Sequence, residues 1–388
     1  MIANKTRDNT NSKMILLAGA GFSYDLGYRK LKDQLINMMK TEGFISYLMN
    51  KVGQIGSIEM LINRLNKYKE IDNWIRWDDP ILRDAYDVRL EMRGGDFHHA
   101  LTSCYETLVK NYGPKDSNIA YQNKFRARAE ILQKIAKANK PSNVLDIYTT
   151  NYDCAFQYMA SEKDQPKLTF LTHISNEKVK NKDGEFKAGK WYDPMENYLD
   201  TDIRAYLPNV YIHRLHGCIA WYNKKEKGRV VSAHEKDGAG GTTPFVFEGD
   251  RDYFLYNLCI KLIGSEYLSA KEVSSSAFNE FYDQLTRIDT LLVWGYSFRD
   301  VEVLRQINHA LLARKKPFRI YYISEIVSAG LVQKNIDEIK NNIDETLKNT
   351  PTSLSPDFIP IRLNWNKDLG YDALAREIEE RNRNRYKN

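Results

Sequence analysis

Residues Met14 to Ser23 read MILLAGAGFS, and the fold class follows from this stretch. Met14 to Ala18 is a continuous apolar run with no polar alternation, the pattern of a strand buried on both faces of a parallel sheet. The run stops at Gly19-Ala20-Gly21, so the strand enters a turn and a helix is expected beyond it. Glycines at a strand-to-helix turn let backbone N–H groups approach a pyrophosphate, and the following helix points its positive end at the anion. The spacing is G-x-G, and position 24 is Tyr where the dinucleotide fingerprint has its third glycine. A tight turn that binds nothing would use the same two glycines.

Working outward, apolar strand-like runs recur at Val144 to Thr149, Leu168 to Leu171, Val210 to His213, Thr290 to Trp294, Phe318 to Ile323 and Phe358 to Leu363. Helical spacing follows the fourth of these at Val301, Leu304, Ile307 and Leu311, and the last at Leu369, Leu374 and Ile378. Strands alternating with amphipathic helices predict an α/β fold: a Rossmann-like parallel sheet of about six or seven strands with helices on both faces. From about 30 to 140 the pattern is helical instead. Ile58, Leu61, Ile62, Leu65 and Tyr68 form one apolar stripe, and Tyr121, Phe125, Ala129, Leu132 and Ile135 another. Breaks fall at Gly53, Gly94-Gly95 and Gly113-Pro114, so this stretch reads as a helical insertion. Residues 1–12 read as a flexible arm, and 13–388 as one domain interrupted by that insertion. Trp221 to Phe247 reads as a surface hairpin and mobile loop, and the basic tail RNRNRYKN as a solvated helix end.

Composition narrows the class. Of 388 residues, 42% are hydrophobic and 28% charged, which supports a large core and excludes a wholly disordered chain. The net charge of +6 is mild for this length, short of the basic stripe of a dedicated nucleic-acid binder. No apolar run approaches the roughly 20 residues that span a bilayer. The N-terminus lacks the apolar stretch of a secretory signal, so a soluble cytoplasmic protein is expected. The 4 cysteines, Cys104, Cys154, Cys218 and Cys259, are widely spaced with no C-x-x-C pair. A structural zinc site built on two such pairs is therefore excluded, and no metal is expected.

The chemistry-bearing residues fall at strand ends, where open α/β sheets bind their ligands. Thr149-Thr150-Asn151-Tyr152-Asp153 could aim an amide and a carboxylate into one small volume, or serve as a helix cap and Asx-turn. His216, before Gly217, could be a general base or a structural histidine. In Trp294-Gly295-Tyr296-Ser297-Phe298-Arg299-Asp300, Ser297 and Asp300 have capping-box spacing, and Ser297 could equally bind a phosphate or ribose hydroxyl. Ser324-Glu325 closes a strand where an acidic group commonly holds an adenosine ribose.

In this order, the five strand ends resemble the sirtuin family. Gly19 to Ser23 is similar to the family's GAG-x-S loop, Thr150 to Asp153 to its T-x-N-x-D motif, and His216-Gly217 to its catalytic His-Gly. Gly295-Tyr296-Ser297 is similar to the later G-x-S nucleotide loop, and Ser324 stands where many sirtuins have Asn. The resemblance leaves the helical block unmatched. Protein-deacylating sirtuins carry a zinc ribbon of paired cysteines and a Pro-Asp-Phe-Arg stretch, whereas this chain continues YDLGYRKLKDQL after GAGFS. GAGFS, TTNYD, LHG and GYSFRD together look like the bacterial sirtuin-like NADases of anti-phage defence.

That resemblance implies an NAD glycohydrolase that cleaves NAD, its substrate, to ADP-ribose and nicotinamide, and stops phage replication by NAD depletion. It implies that Gly19, Ala20, Gly21 and Ser23 cradle the phosphates, with Phe22, Thr150, Gly295, Ser297, Ser324 and Glu325 also at the nucleotide. Asn151 and Asp153 would hold the nicotinamide carboxamide and ribose, and His216 would act as base or ribose-hydroxyl contact. Breaking the N-glycosidic bond develops positive charge on the ribose, so the site must stabilise an oxocarbenium-like centre and admit a water. Two other readings stay open: a regulatory module binding NAD or ADP-ribose without turnover, and an NAD-dependent protein deacylase. The resemblance also suggests a homo-oligomer and a separately encoded sensor, a HerA-type translocase ATPase or alternatively a short Argonaute. Neither a membrane nor direct sequence-specific nucleic-acid binding is expected.

Overall fold

The computed structural model describes residues 14–24, 26, 61–62, 104, 119–139, 144–153, 155–156, 170–172, 179–180, 186–187, 210–224, 229–232, 258–260, 271–298, 300–314, 318–324, 337, 341 and 357–362. The opening apolar run is strand β1, Met14–Ala18, buried at every position. It leads into the short helix α1, Ala20–Tyr24. Helix α2, Ile119–Ala138, precedes β2, Leu145–Thr149. There follow β3 (Phe170–Thr172), β4 (Val179–Lys180), β5 (Phe186–Lys187) and β6 (Val210–Arg214). Next come β7 (Gly217–Lys224), β8 (Arg229–Ser232), β9 (Leu258–Ile260) and helix α3 (Lys271–Arg287). Strand β10 (Thr290–Trp294), helix α4 (Val301–Leu312), β11 (Arg319–Ser324) and β12 (Asp357–Arg362) complete the order.

Seven of these strands form one sheet in the order β12-β11-β10-β1-β2-β6-β3. Every pairing within it is parallel. The chain leaves β1 toward β2 and β6, then crosses back to β10 on the other side, so the topological switch point lies between β1 and β10. In such sheets the crevice at a switch point, beyond the carboxyl ends of the strands, is the ligand site.

The register explains which side chains meet. Leu17 is level with Val293 on one side and Tyr148 on the other, and Tyr148 with His213. These residues share a face with Ile15, Leu291, Ile320 and Tyr322, and pack in one core with Phe278, Phe281 and Leu285 of α3 and Val303, Ile307 and Leu311 of α4. Residues of opposite parity, such as Leu16, Leu292 and Trp294, turn to the other face, where Arg128 of α2 lies over the Trp294 ring. Each fully buried Leu, Ile or Phe contributes about 1.5–3 kcal/mol. Just past α2, the Asn139 amide acts as a peptide surrogate: it accepts from the Met14 N–H at 2.9 Å and donates to the Met14 carbonyl at 2.9 Å, fixing where β1 begins.

All seven strand-like runs of the sequence are sheet strands, displaced by at most two residues at either end. Trp221 begins the predicted hairpin, with β7 and β8 antiparallel and β9 pairing the other edge of β7. The Gly238 to Gly241 loop, the 1–12 arm and the basic tail lie outside the described residues. So does most of the 30–140 insertion, although Leu61, Ile62, Cys104 and 119–138 within it are helical. Helix α3 is not among the elements expected from the sequence.

Candidate active site

The β1–α1 turn and the β10–α4 turn are pressed together at the switch point. Gly19 N–H donates to the Trp294 carbonyl at 3.0 Å and Gly21 N–H to the Gly295 carbonyl at 2.8 Å. A Cβ on Gly19 would lie 2.5 Å from the Tyr296 Cα, and one on Gly21 would lie 2.7 Å from the Gly295 Cα. The two glycines are thus required for backbone-on-backbone packing, before any ligand is considered. Phe22 N–H is taken by the Gly19 carbonyl at 2.9 Å. The Phe22 ring is core, stacked on Phe156 at 4.9 Å and edge-on to Trp294 at 5.0 Å, so that side chain is not presented to a nucleotide. Ala20 stands exposed at the turn.

The end of β2 is stitched to this turn by Asn151. Its Nδ2 donates to the Gly19 carbonyl at 2.8 Å and to Ser23 Oγ at 3.1 Å. Both amide hydrogens are thus committed to the β1–α1 turn. Local bonds coexist with this long-range one. Thr149 Oγ1 accepts from Asn151 N–H at 3.1 Å, and Asp153 Oδ1 accepts from Ala155 N–H at 3.0 Å in an Asx-turn. Burial raises the Asp153 carboxyl above its ordinary range, against the opposing pulls of Arg214, the Ser23 hydroxyl, the Ala155 N–H and Arg128. Asn151, Ser23 and Asp153 therefore form one hydrogen-bonded line, all three buried.

Strand β6 supplies the histidine. Leu215 N–H donates to the Thr149 carbonyl at 2.9 Å, which holds the end of β6 against the end of β2. Gly217, at φ +78°, then turns the chain into β7, a backbone conformation that favours glycine after His216. The His216 ring lies between Tyr152 at 6.0 Å and Phe278 at 6.2 Å between centroids. Its Nε2 is 2.7 Å from Oδ2 of Asp300, and both residues are buried.

Asp300, at capping-box spacing from Ser297 in the sequence, is brought beside His216 by the fold. The N-cap of α4 is Asp300 itself, whose Oδ1 accepts from Glu302 N–H at 2.9 Å. Ser297 cannot be the cap because Phe298, next in the chain, has φ +54° and breaks the helical path. Ser297 is instead exposed in the turn. Ser324 ends β11 in register with Arg362, and Glu325 lies outside the described residues.

Residues 146–341, half of the chain, match the SIR2-like domain family. The chain belongs to the SIR2-like family. No curated protein matches it. Solved structures similar to it include Sir2 in complex with the inhibitor EX-527, 2'-O-acetyl-ADP-ribose and deacetylated p53 peptide (11% identity, 88% of this chain and 94% of that chain, TM-score 0.31). A second is a Sir2–p53 peptide–NAD+ complex, at 12% identity, 88% and 94% coverage and TM-score 0.31.

Behind the SIR2-like site lies a set of charges that the motifs did not announce. Arg214 Nη1 donates to the backbone carbonyls of Asn151 at 3.0 Å and Asp153 at 2.6 Å, shaping the loop that carries both. Arg128 lies over the rings of Phe22 at 5.0 Å and Trp294 at 5.3 Å. The signal for Arg214 was its place between two histidines at a strand end; Arg128 sits on the apolar stripe of α2 beside Ala129 and Leu132, where a cation implies a buried partner. Among the described residues, His216, Asp300 and Glu302 also offer ligand atoms within 4.8 Å of one another. Within this group His216 Nε2 and Asp300 Oδ2 stand at ion-pair distance, 2.7 Å apart.

Proposed function

We propose that this SIR2-like protein is an NAD glycohydrolase, cleaving NAD to ADP-ribose and nicotinamide, and that it acts as an effector of anti-phage defence by depleting NAD. The observation that carries the reading is a buried imidazole–carboxylate pair at 2.7 Å, His216 in the turn after β6 and Asp300 at the N-cap of α4, beyond the carboxyl ends of the parallel strands where Asn151 also lies. Such a pair is a base poised to take a proton, and the reaction must take one from water. The Asn151 carbonyl oxygen would accept one hydrogen of that water, leaving a lone pair for the ribose C1′. The buried line from Asn151 through Ser23 to Asp153 would hold that amide in place against the β1–α1 turn.

The phosphates would lie over Ala20 and the exposed face of the β1–α1 turn, with Thr150, Gly295, Ser297, Ser324 and Glu325 around the nucleotide. Hydrolysis is favoured over lysine deacylation because the sequence has no paired cysteines for a zinc ribbon. The proposal includes a cytoplasmic homo-oligomer switched on by a separately encoded HerA-type ATPase. Incubating the protein with NAD, alone and with its partner, and following nicotinamide release tests the activity. Asn151→Ala and His216→Ala are each expected to lower turnover at least 100-fold; undiminished turnover in both would overturn the site assignment.

A further inference from the structure

We propose that Arg214 is a positioning residue for the reaction: from the end of β6, two residues before His216, its guanidinium clamps the loop that carries Asn151 and Asp153. The inference rests on the hydrolase reading and adds to it the group that sets the amide relative to the imidazole. Arg214 is fully buried, and a buried cation is costly unless its hydrogens find acceptors. Nη1 finds two, the backbone carbonyls of Asn151 at 3.0 Å and Asp153 at 2.6 Å. A guanidinium nitrogen of this kind carries two hydrogens, so one atom closes the loop across Tyr152. The guanidinium carbon also stands over the Phe156 ring at 5.8 Å, and that ring stacks on Phe22 of α1 at 4.9 Å.

The clamp acts where the site is assembled. Arg214 is level with Thr149 in the sheet, and Leu215 N–H ties the next residue to the Thr149 carbonyl at 2.9 Å. The end of β6 therefore grips the end of β2 twice, once through its backbone and once through the Arg214 side chain. Beyond the grip, the Asn151 amide reaches the β1–α1 turn and His216 reaches Asp300. Burial pushes the Asp153 carboxyl up, and the Arg214 charge is the strongest of the influences that oppose it. An arginine suits both tasks, since its fork is rigid and its charge permanent, whereas lysine offers a point charge on a flexible stem.

Arg214→Gln keeps an N–H₂ group on a shorter, uncharged stem, and Arg214→Lys restores the charge without the fork. Displacing a reacting group by about 1 Å can cost about 100-fold in rate, so kcat of Arg214→Gln should fall about 100-fold. KM for NAD should stay within about threefold, because the clamp does not touch substrate. Arg214→Lys should recover part of the loss. A second measurement is independent of turnover. The side-chain amide 1H–15N signals of Asn151, assigned from Asn151→Ala, should shift in Arg214→Gln. Those of Asn139, whose amide holds the opposite end of β1, should not. A general loosening of the core would move both pairs. A kcat of Arg214→Gln within threefold of wild type, no recovery in Arg214→Lys, or Asn151 signals that stay in place or move together with those of Asn139 would each overturn the proposal. A wild type that hydrolyses no NAD would overturn the hydrolase reading instead, and the amide signals would still decide the clamp. Should Arg214→Gln not fold, Arg214→Lys is compared with wild type by the same signals and by a kcat expected to be about tenfold lower.

Discussion

Gly295 shows how much of the site is decided by single residues. A methyl group there would meet Phe22 N at 2.3 Å and Gly21 C at 2.4 Å, at a φ of +63° that side chains resist. Gly295→Ala is therefore expected to destabilise the fold by about 2–4 kcal/mol, the sum of a left-handed penalty and overpacking, read as a shift in denaturant midpoint. Asn151→Ala removes the side-chain donor to Ser23 Oγ and one of the two donors to the Gly19 carbonyl, which keeps Phe22 N–H, and should cost about 1–3 kcal/mol on top of its effect on turnover. At this scale the sequence was partly legible. GAGFS, TTNYD and His216-Gly217 could be placed at strand ends because glycine and small polar residues interrupt apolar runs there. Asp300 could not be paired with His216, because 84 residues and a sheet crossover separate them and local spacing offered a capping box that fits equally well. Phe22 was placed at the nucleotide by its position in the motif, whereas its ring fills the core between Phe156 and Trp294.

Among elements, α3 is tied to the sheet by a buried histidine that the proposed reaction does not use. His213 on β6 lies 3.2 Å from Asp146 of β2 and 3.3 Å from Glu280 of α3, with its ring stacked on Tyr148 at 4.4 Å. Burial alone would lower its pKa, but the Glu280 charge and the Asp146 hydrogen bond, with smaller contributions from the same two carboxylates, outweigh that and raise it to about 9. The folded pKa thus lies above the unfolded value of about 6.5, so the stabilisation is complete below that pH and is lost as pH rises through 9. Melting temperature should fall between pH 7 and 9.5 in the wild type by an amount on the order of 3 kcal/mol of stability, and His213→Gln should flatten that slope. An equal slope in the variant would assign the pH dependence elsewhere. The seven strands were legible because buried parallel strands are short, unbroken apolar runs. Helix α3 was not expected, although Phe278, Phe281 and Leu285 recur at i, i+3 and i+7. Its polar flanks, and partners such as Glu280 that belong to the sheet's buried charge, mask the stripe.

For the whole molecule, the sheet order brings the ends of β6, β2, β1, β10 and β11 side by side, so five motifs scattered over some 300 residues of sequence become one edge. No described helix is long and apolar enough to cross a membrane. Parallel topology was legible because strands and helices alternate; the order of the strands was not, since no local pattern says that β6 inserts between β2 and β3. A homo-oligomer, as proposed, should sediment above the 45.2 kDa monomer, and a species that stays monomeric at all concentrations with and without NAD would count against it. The proposed reaction lies at the β1–β10 switch point. Incubating NAD with the protein and its partner, with an acyl-lysine peptide present, and resolving the products by mass tests it most directly. Nicotinamide and ADP-ribose should form in equal amounts, with the peptide unmodified and no products from His216→Ala. Intact NAD that binds tightly, or an acyl group moved from the peptide to ADP-ribose, would contradict it.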